Sequence, residues 1–167
     1  MDVWYMEPVE AVAQLINKEL GIDGLVLLTE DLKNKCTLIK VKISGLKPYS
    51  IHGFHVHTAG DLREGCKSLC DHWNPYGATH GGPSDSRKTR HAGDLGNLVA
   101  NNKGIISTTI SDSLIKLRGK YSIMGRSIIL HDSEDDLGKG DNQDSKITGN
   151  SGARIACGII GYCKKCS

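Results

Sequence analysis

An all-β fold, a sandwich or barrel of short strands, is what this sequence predicts. Three observations carry the prediction. Short apolar runs recur, the clearest with a period of two; segments rich in Gly, Asn, Asp and Ser separate them; and helical periodicity is scarce. The 167 residues fit one domain, 1–167, around a single core. With 38% hydrophobic residues the chain is too apolar for disorder.

Taken in order, residues 9–16 form the first expected strand. Val9, Ala13, Leu15 and Ile16 also partly suit a helix, so 7–20 admits both states, with the strand preferred. Residues 25–29 follow. The clearest strand is 36–43, where Ile39, Val41 and Ile43 alternate with Lys40 and Lys42 to give one buried and one wet face. Further runs lie at 98–100, 105–110, 127–130 and 154–162. Two stretches, about 58–94 and 132–152, are too long and polar for tight turns. Loops of that length without structure of their own usually serve a function.

The 21 basic and 19 acidic residues nearly balance, at a formal +2. No basic block marks a nucleic-acid footprint. Arg87, Lys88 and Arg90 form a short loop cluster that is read as solvated in preference to phosphate-binding. Residues 1–20 have neither a basic start nor a continuous apolar run, so no signal peptide is expected, and no stretch is long enough to span a membrane. A cytoplasmic address follows as the expectation. Six cysteines sit awkwardly with it, because disulfides are unusual in reducing compartments.

All seven histidines fall between His52 and His131. On a strand, His55 and His57 face the same way and can grip one ion together, although a His-x-His pair alone is as easily incidental. His72, His80, His91 and Asp94 supply three imidazoles and a carboxylate from a Gly-rich loop, a set able to close a tetrahedral zinc shell. His55 and His57 can combine with His131 and one more imidazole in an all-nitrogen copper site. His72 serves both sets if its ring bridges two metals.

At these residues the chain resembles the copper/zinc superoxide dismutases, from about residue 9 to 162. The matching segments are His52-Gly53-Phe54-His55-Val56-His57, Asn74-Pro75, His80-Gly81-Gly82-Pro83 and His91-Ala92-Gly93-Asp94-Leu95-Gly96-Asn97. They continue through Gly125-Arg126 to His131, Asp135-Asp136-Leu137-Gly138-Lys139-Gly140, Thr148-Gly149-Asn150 and Arg154-Ile155-Ala156-Cys157-Gly158. The N-terminal fifty residues match only loosely.

The resemblance implies an eight-stranded antiparallel Greek-key barrel (an immunoglobulin-like sandwich) with two long functional loops, normally a homodimer. It implies copper on His55, His57, His72 and His131, and zinc on His72, His80, His91 and Asp94. Asp135 matches a carboxylate linking His55 to His80, Arg154 a guanidinium beside the copper, and Cys66 with Cys157 an intrasubunit disulfide. The implied reaction converts superoxide to oxygen and hydrogen peroxide by copper(II)/copper(I) cycling, with His72 carrying a proton. A copper chaperone is an implied partner.

Two departures stand out. The family commonly carries lysine just before Thr-Gly-Asn, whereas this chain has Ile147, with Lys146 one place earlier. The His80–His91 spacing is about two residues longer than usual, carrying Arg87-Lys88-Thr89-Arg90 in an outward bulge. Of the remaining cysteines, Cys70 could compete with Cys66 for Cys157. Cys163-x-x-Cys166 reads first as an inert or oxidation-prone tail and second as a metal-capturing pair. That tail is the one feature pointing to copper delivery or buffering on the same fold; a zinc-only structural barrel has no need of His55, His57 and His131.

Overall fold

The computed structural model describes residues 7–164. The first six residues, on which part of the signal-peptide reading rests, and Cys166 of the Cys-x-x-Cys pair lie outside that range. The described residues form nine strands: β1 (Glu10–Asn17), β2 (Ile22–Asp31), β3 (Cys36–Ser44), β4 (Ile51–His57), β5 (Asp94–Val99), β6 (Ile106–Asp112), β7 (Ser127–His131), β8 (Arg154–Ile159) and β9 (Gly161–Tyr162). A 3-10 turn at Gly65–Leu69 and a short helix, α1 (Ser145–Thr148), sit in the two long loops.

The strands form two antiparallel sheets, in the orders β6-β3-β2-β1-β9 and β5-β4-β7-β8. β6 lies beside β3 and β7 beside β4, so the chain crosses between sheets as in a Greek key. Ala11, Ala13 and Leu15 of β1 are buried and Gln14 is exposed, which settles the helix-or-strand ambiguity in favour of the period of two. Eight consecutive pairs with β2 outweigh the weak helical pattern that had included Ile16, now 47% exposed. In β3, Ile39, Val41 and Ile43 point into the core and Lys40 and Lys42 point out, as the alternation requires. Phe54, Ile128 and Leu130 meet Val26, Leu28 and Ile39 across the sandwich.

Three expectations are corrected. The run 154–162 is not one strand: β8 pairs with β7 in one sheet, and β9 pairs with β1 in the other. Counted as one, β8 and β9 restore the number eight. Among the described residues the ladders make two sheets and not a closed ring. β8 approaches β1 by backbone contact instead, since a Cβ on Gly158 would lie 2.3 Å from the Gln14 carbonyl oxygen. The strand expected at 98–100 spans Asp94–Val99, beginning at a residue of the metal-ligand set.

The third correction concerns Arg90. Arg87 and Lys88 are exposed as expected, but Arg90 is 2% exposed and pairs with Asp112 at 2.6 Å. The loop bulges through residue 89 and turns back into the protein at residue 90. Among the described residues no helix is long and apolar enough to cross a membrane.

Candidate metal centre

β4 places His55 and His57 on the face opposite Phe54 and Val56, which lie in the core. β7 runs alongside β4 and ends on His131, where a register shift against β8 re-aims the chain. Loop 58–94 returns His72 to β4 through a bridge to His57, and then supplies His80 and His91. Two four-residue groups result: His55, His57, His72 and His131, and His72, His80, His91 and Asp94. Within each, one donor atom per residue lies within 4.8 Å of the others. His72 belongs to both, its ring centroid 4.1 Å from that of His55 and 5.2 Å from that of His80.

Unpaired ring nitrogens test whether this set suits metal. Nδ1 of His55, Nε2 of His57, Nε2 of His131 and Nδ1 of His80 are buried without a hydrogen-bond partner among the described residues. The second nitrogen of each ring is engaged. His55 Nε2 meets Asp135 Oδ2 at 2.7 Å, and His80 Nε2 meets Asp135 Oδ1 at 2.7 Å. His57 Nδ1 reaches the Cys70 carbonyl at 2.8 Å and His131 Nδ1 that of Gly152 at 3.2 Å. Leaving a buried polar atom unpaired is costly, and imidazoles oriented through their far nitrogen are the usual dress of a metal ligand.

The second group has the dimensions of a tetrahedral site. Asp94 Oδ1 lies 2.8 Å from His72 Nδ1, 3.1 Å from His80 Nδ1 and 3.2 Å from His91 Nδ1. Metal–ligand distances of about 2.0–2.1 Å in a tetrahedron imply edges of about 3.3 Å. Asp94 Oδ2 accepts from the backbone N–H groups of His91 and Gly81, which fixes the carboxylate plane. Gly149 is dictated by the same closeness. A Cβ there would lie 2.0 Å from Asp135 Oδ1 and 2.4 Å from His80 Nε2, and its φ of 68° favours glycine.

Burial, aided by neighbouring imidazoles, lowers the pKa of His55 to about 3 and that of His131 to about 4. Burial also lowers His72, so these rings are neutral and ready to ligate. Burial opposes the charged form of His80 too, but its hydrogen bond to Asp135 and the adjoining Asp94 carboxylate prevail and raise it to about 9. Asp94 and Asp135, although buried, are held well below the carboxylate range by the imidazoles bonded to them. In the metal-free protein, His55 and His131 stay unprotonated below pH 6.5 while their unfolded counterparts take up protons. Their contribution to stability is therefore complete above about pH 6.5 and is lost as pH falls toward 4. The urea midpoint of the metal-free protein is expected to be lower at pH 5 than at pH 7.

Arg154 lies at the mouth of the first group, donating from Nη1 to the Cys66 carbonyl at 2.8 Å and from Nη2 to the Cys70 carbonyl at 2.6 Å. A disulfide joins Cys66 to Cys157, 91 residues apart, and Cys70 is a free thiol among the described residues. A cavity of about 360 Å³ opens above His57, His72 and His131, with Arg154, Asp71, Asp144 and Ile147 in its wall. Lys146 is turned away from this cavity onto the Gly138 carbonyl.

Every site residue expected from the sequence is gathered here. Two features of the centre were not anticipated. His52, the seventh histidine, is a brace: its Nδ1 meets the His131 carbonyl at 2.6 Å and its Nε2 the Ser50 hydroxyl at 2.7 Å. Cys70 serves through its backbone, since its carbonyl accepts from both His57 and Arg154. It does so at φ 60° and ψ −156°, a region open essentially to glycine alone. Nothing in a linear sequence reveals that strain. Cys70→Gly is expected to relieve about 1–3 kcal/mol of it against glycine's backbone entropy of about 0.5–1 kcal/mol. The net gain should raise Tm by about 2–4 °C, measured by scanning calorimetry, with Cys70→Ala giving no such rise.

The family model for copper/zinc superoxide dismutase matches residues 22–160. The superoxide dismutase [Cu-Zn] of Paramecium bursaria Chlorella virus 1 is 50% identical over 159 residues, covering 95% of this chain and 81% of the relative. The extracellular superoxide dismutase [Cu-Zn] of Drosophila melanogaster is 46% identical over 158 residues, covering 92% of this chain and 86% of that one. Among solved structures, the crystal structure of the clock protein EA4 superposes with a TM-score of 0.88 at 39% identity, covering 98% of this chain and 100% of that one. A paired histidine centre on a two-sheet sandwich, matched along most of its length, makes the chain a member of the copper/zinc superoxide dismutase family, an oxidoreductase that uses copper and zinc to dismutate superoxide.

Proposed function

We propose that copper is held by His55, His57, His72 and His131 and zinc by His72, His80, His91 and Asp94, with Arg154 as the anchor for superoxide. The observation that carries this reading is the set of buried ring nitrogens without partners, three in the first group and one in the second. When bound, copper supplies a one-electron couple at nitrogen ligands, and zinc supplies a fixed charge that has no redox chemistry of its own. The protein's residues do the rest. His72 is fixed through Nδ1 beside Asp94, leaving Nε2 as the position that carries a proton toward product. Asp135 fixes the tautomers of His55 and His80 together. Arg154, half-buried and held by two carbonyls, presents a permanent positive charge to a small anion.

The assignment is tested by metal titration of two variants. His131→Ala is expected to lose copper binding and keep zinc, and His91→Ala to do the reverse. Identical losses in both would contradict it. Copper delivery or buffering is the weaker reading, because the liganding set and Arg154 are complete. Within the same proposal the chain is one domain by its length and works in the cytoplasm, and on the strength of the family resemblance it forms a homodimer and receives copper from a chaperone.

Ile147 has a consequence for substrate approach. With this side chain in the cavity wall and Lys146 turned away, Arg154 faces the carboxylates of Asp71 and Asp144 without lysine support in that wall. Steering of superoxide is therefore weaker than a lysine would make it. Ile147→Lys is expected to raise kcat/KM at low ionic strength and steepen its decline with salt, as measured by stopped-flow superoxide decay.

A further inference from the structure

Arg90 lies outside both groups of metal-binding residues, yet it is the largest side chain among those essentially sealed from solvent. Burying a guanidinium is costly unless its hydrogen bonds are met with good geometry. Two bonds meet part of that demand, and they run in different directions, while Nε is buried without a partner among the described residues. Nη2 donates to Asp112 Oδ2 at 2.6 Å, and Nη1 donates to the Asp94 backbone carbonyl at 2.6 Å. Asp112 is itself immobilised at the end of β6, where its Oδ1 accepts from the backbone N–H groups of Leu114 at 2.7 Å and Ile115 at 3.0 Å.

The clamp therefore begins on the five-stranded sheet and ends on the first residue of β5, in the other sheet. That residue is Asp94, whose carboxylate sits among His72, His80 and His91. Residues 89 and 90 also press on Gly81, next to His80: a Cβ on Gly81 would lie 2.3 Å from the Thr89 carbonyl oxygen and 3.0 Å from Arg90 Cβ. His91, the next residue after Arg90, donates its backbone N–H to Asp94 Oδ2. Arg90 is thus joined to Asp94 by a hydrogen bond, to His91 by the chain and to His80 through Gly81.

We propose that Arg90 is the positioning residue of the zinc half of the centre, presetting Asp94, His91 and His80 against the frame of β6 so that zinc affinity, and not copper affinity, depends on it. Three of the four copper-side residues, His55, His57 and His131, are carried on β4 and β7, which Arg90 does not touch through either bond, and the fourth, His72, meets Asp94 only through Nδ1, the nitrogen on its zinc side. A lysine could reach only one of the two acceptors, since it lacks the planar fork. The proposal rests on the zinc assignment made above.

The test uses the full chain with Arg90→Gln, Arg90→Lys and Asp112→Asn. Zinc affinity is measured by chelator competition, copper affinity in parallel, and cobalt(II) added to the zinc site reports its geometry by visible absorption. Arg90→Gln is expected to weaken zinc binding by about 10–100-fold, the usual effect of losing a partner that orients ligands, and to alter the cobalt spectrum. Arg90→Lys should fall between it and wild type. Copper affinity should change by no more than about twofold. Asp112→Asn removes charge while leaving the guanidinium on Asp94, so it should weaken zinc less and covers the case in which Arg90→Gln fails to fold. Folded variants with unchanged zinc affinity and cobalt spectrum, or with equal losses at both metals, would overturn the proposal. Wild-type protein that binds no zinc through His80, His91 and Asp94 would instead overturn the assignment beneath it.

Discussion

Asp135→Asn is expected to cost about 10–100-fold in metal affinity and to reduce activity with it. The reason is a mismatch of donors and acceptors. In the native protein both carboxylate oxygens accept from imidazole N–H groups, Oδ2 from His55 and Oδ1 from His80. An amide keeps one acceptor and turns the other position into a donor. One of the two rings must then move or change tautomer, and the nitrogen it had offered to metal becomes the protonated one. The site is also too tight to adapt, because Asp135 is 1% exposed and pressed against Gly149. Equilibrium dialysis against copper and zinc separately will show which ring yields. Retention of wild-type affinity for both metals would mean that Asp135 fills space without orienting ligands.

Cys157→Ser is the second large effect. The disulfide closes a 91-residue separation between the loop turn at Gly65–Leu69 and β8. In the chain-entropy model a loop of that size contributes about 4–5 kcal/mol. For a domain of this length that corresponds to a fall in Tm of roughly 10–15 °C, read by calorimetry on the metal-loaded protein. Activity should fall as well. The Cys66 carbonyl that holds Arg154 belongs to the tethered turn, so the guanidinium loses a fixed support when the tether is cut. Cys70→Ser serves as the control and should leave the disulfide contribution intact, because the Cys70 thiol forms no bond to another cysteine among the described residues.

The sequence carried the fold class through β3, whose lysines and aliphatics alternate without interruption, and through the turn-rich segments between the strands. It blurred where the period of two is weak. β1 looked partly helical because its small alanines satisfy either period, and pairing with β2 and β9 decided it. β5 was cut short because Gly96 and Asn97 are not strand formers, although pairing with β4 extends the strand back to Asp94. The division of 154–162 between two sheets has no local signal, since it depends on where β8 meets β1.

The candidate site was legible because its chemistry is carried by residue types that rarely cluster by chance. Six histidines and Asp94 drew attention through spacing, and the family resemblance added Asp135 and Arg154. What escaped was everything held by backbone or by distant partners. The Cys70 carbonyl looks like any other peptide group in a sequence. Arg90 was grouped with Arg87 and Lys88 because adjacent charges look alike until one finds a buried carboxylate, and Asp112 lies 22 residues away. Lys146 was available as a substitute for lysine at position 147, but its engagement with Gly138 removes it from the cavity wall.

The most direct test of the central claim is superoxide decay followed in the presence of the full chain after reconstitution, with metal content determined on the same sample. The expected result is one copper and one zinc per chain and a catalysed decay whose rate follows copper occupancy. Full occupancy by both metals with superoxide decaying no faster than in buffer would contradict the account.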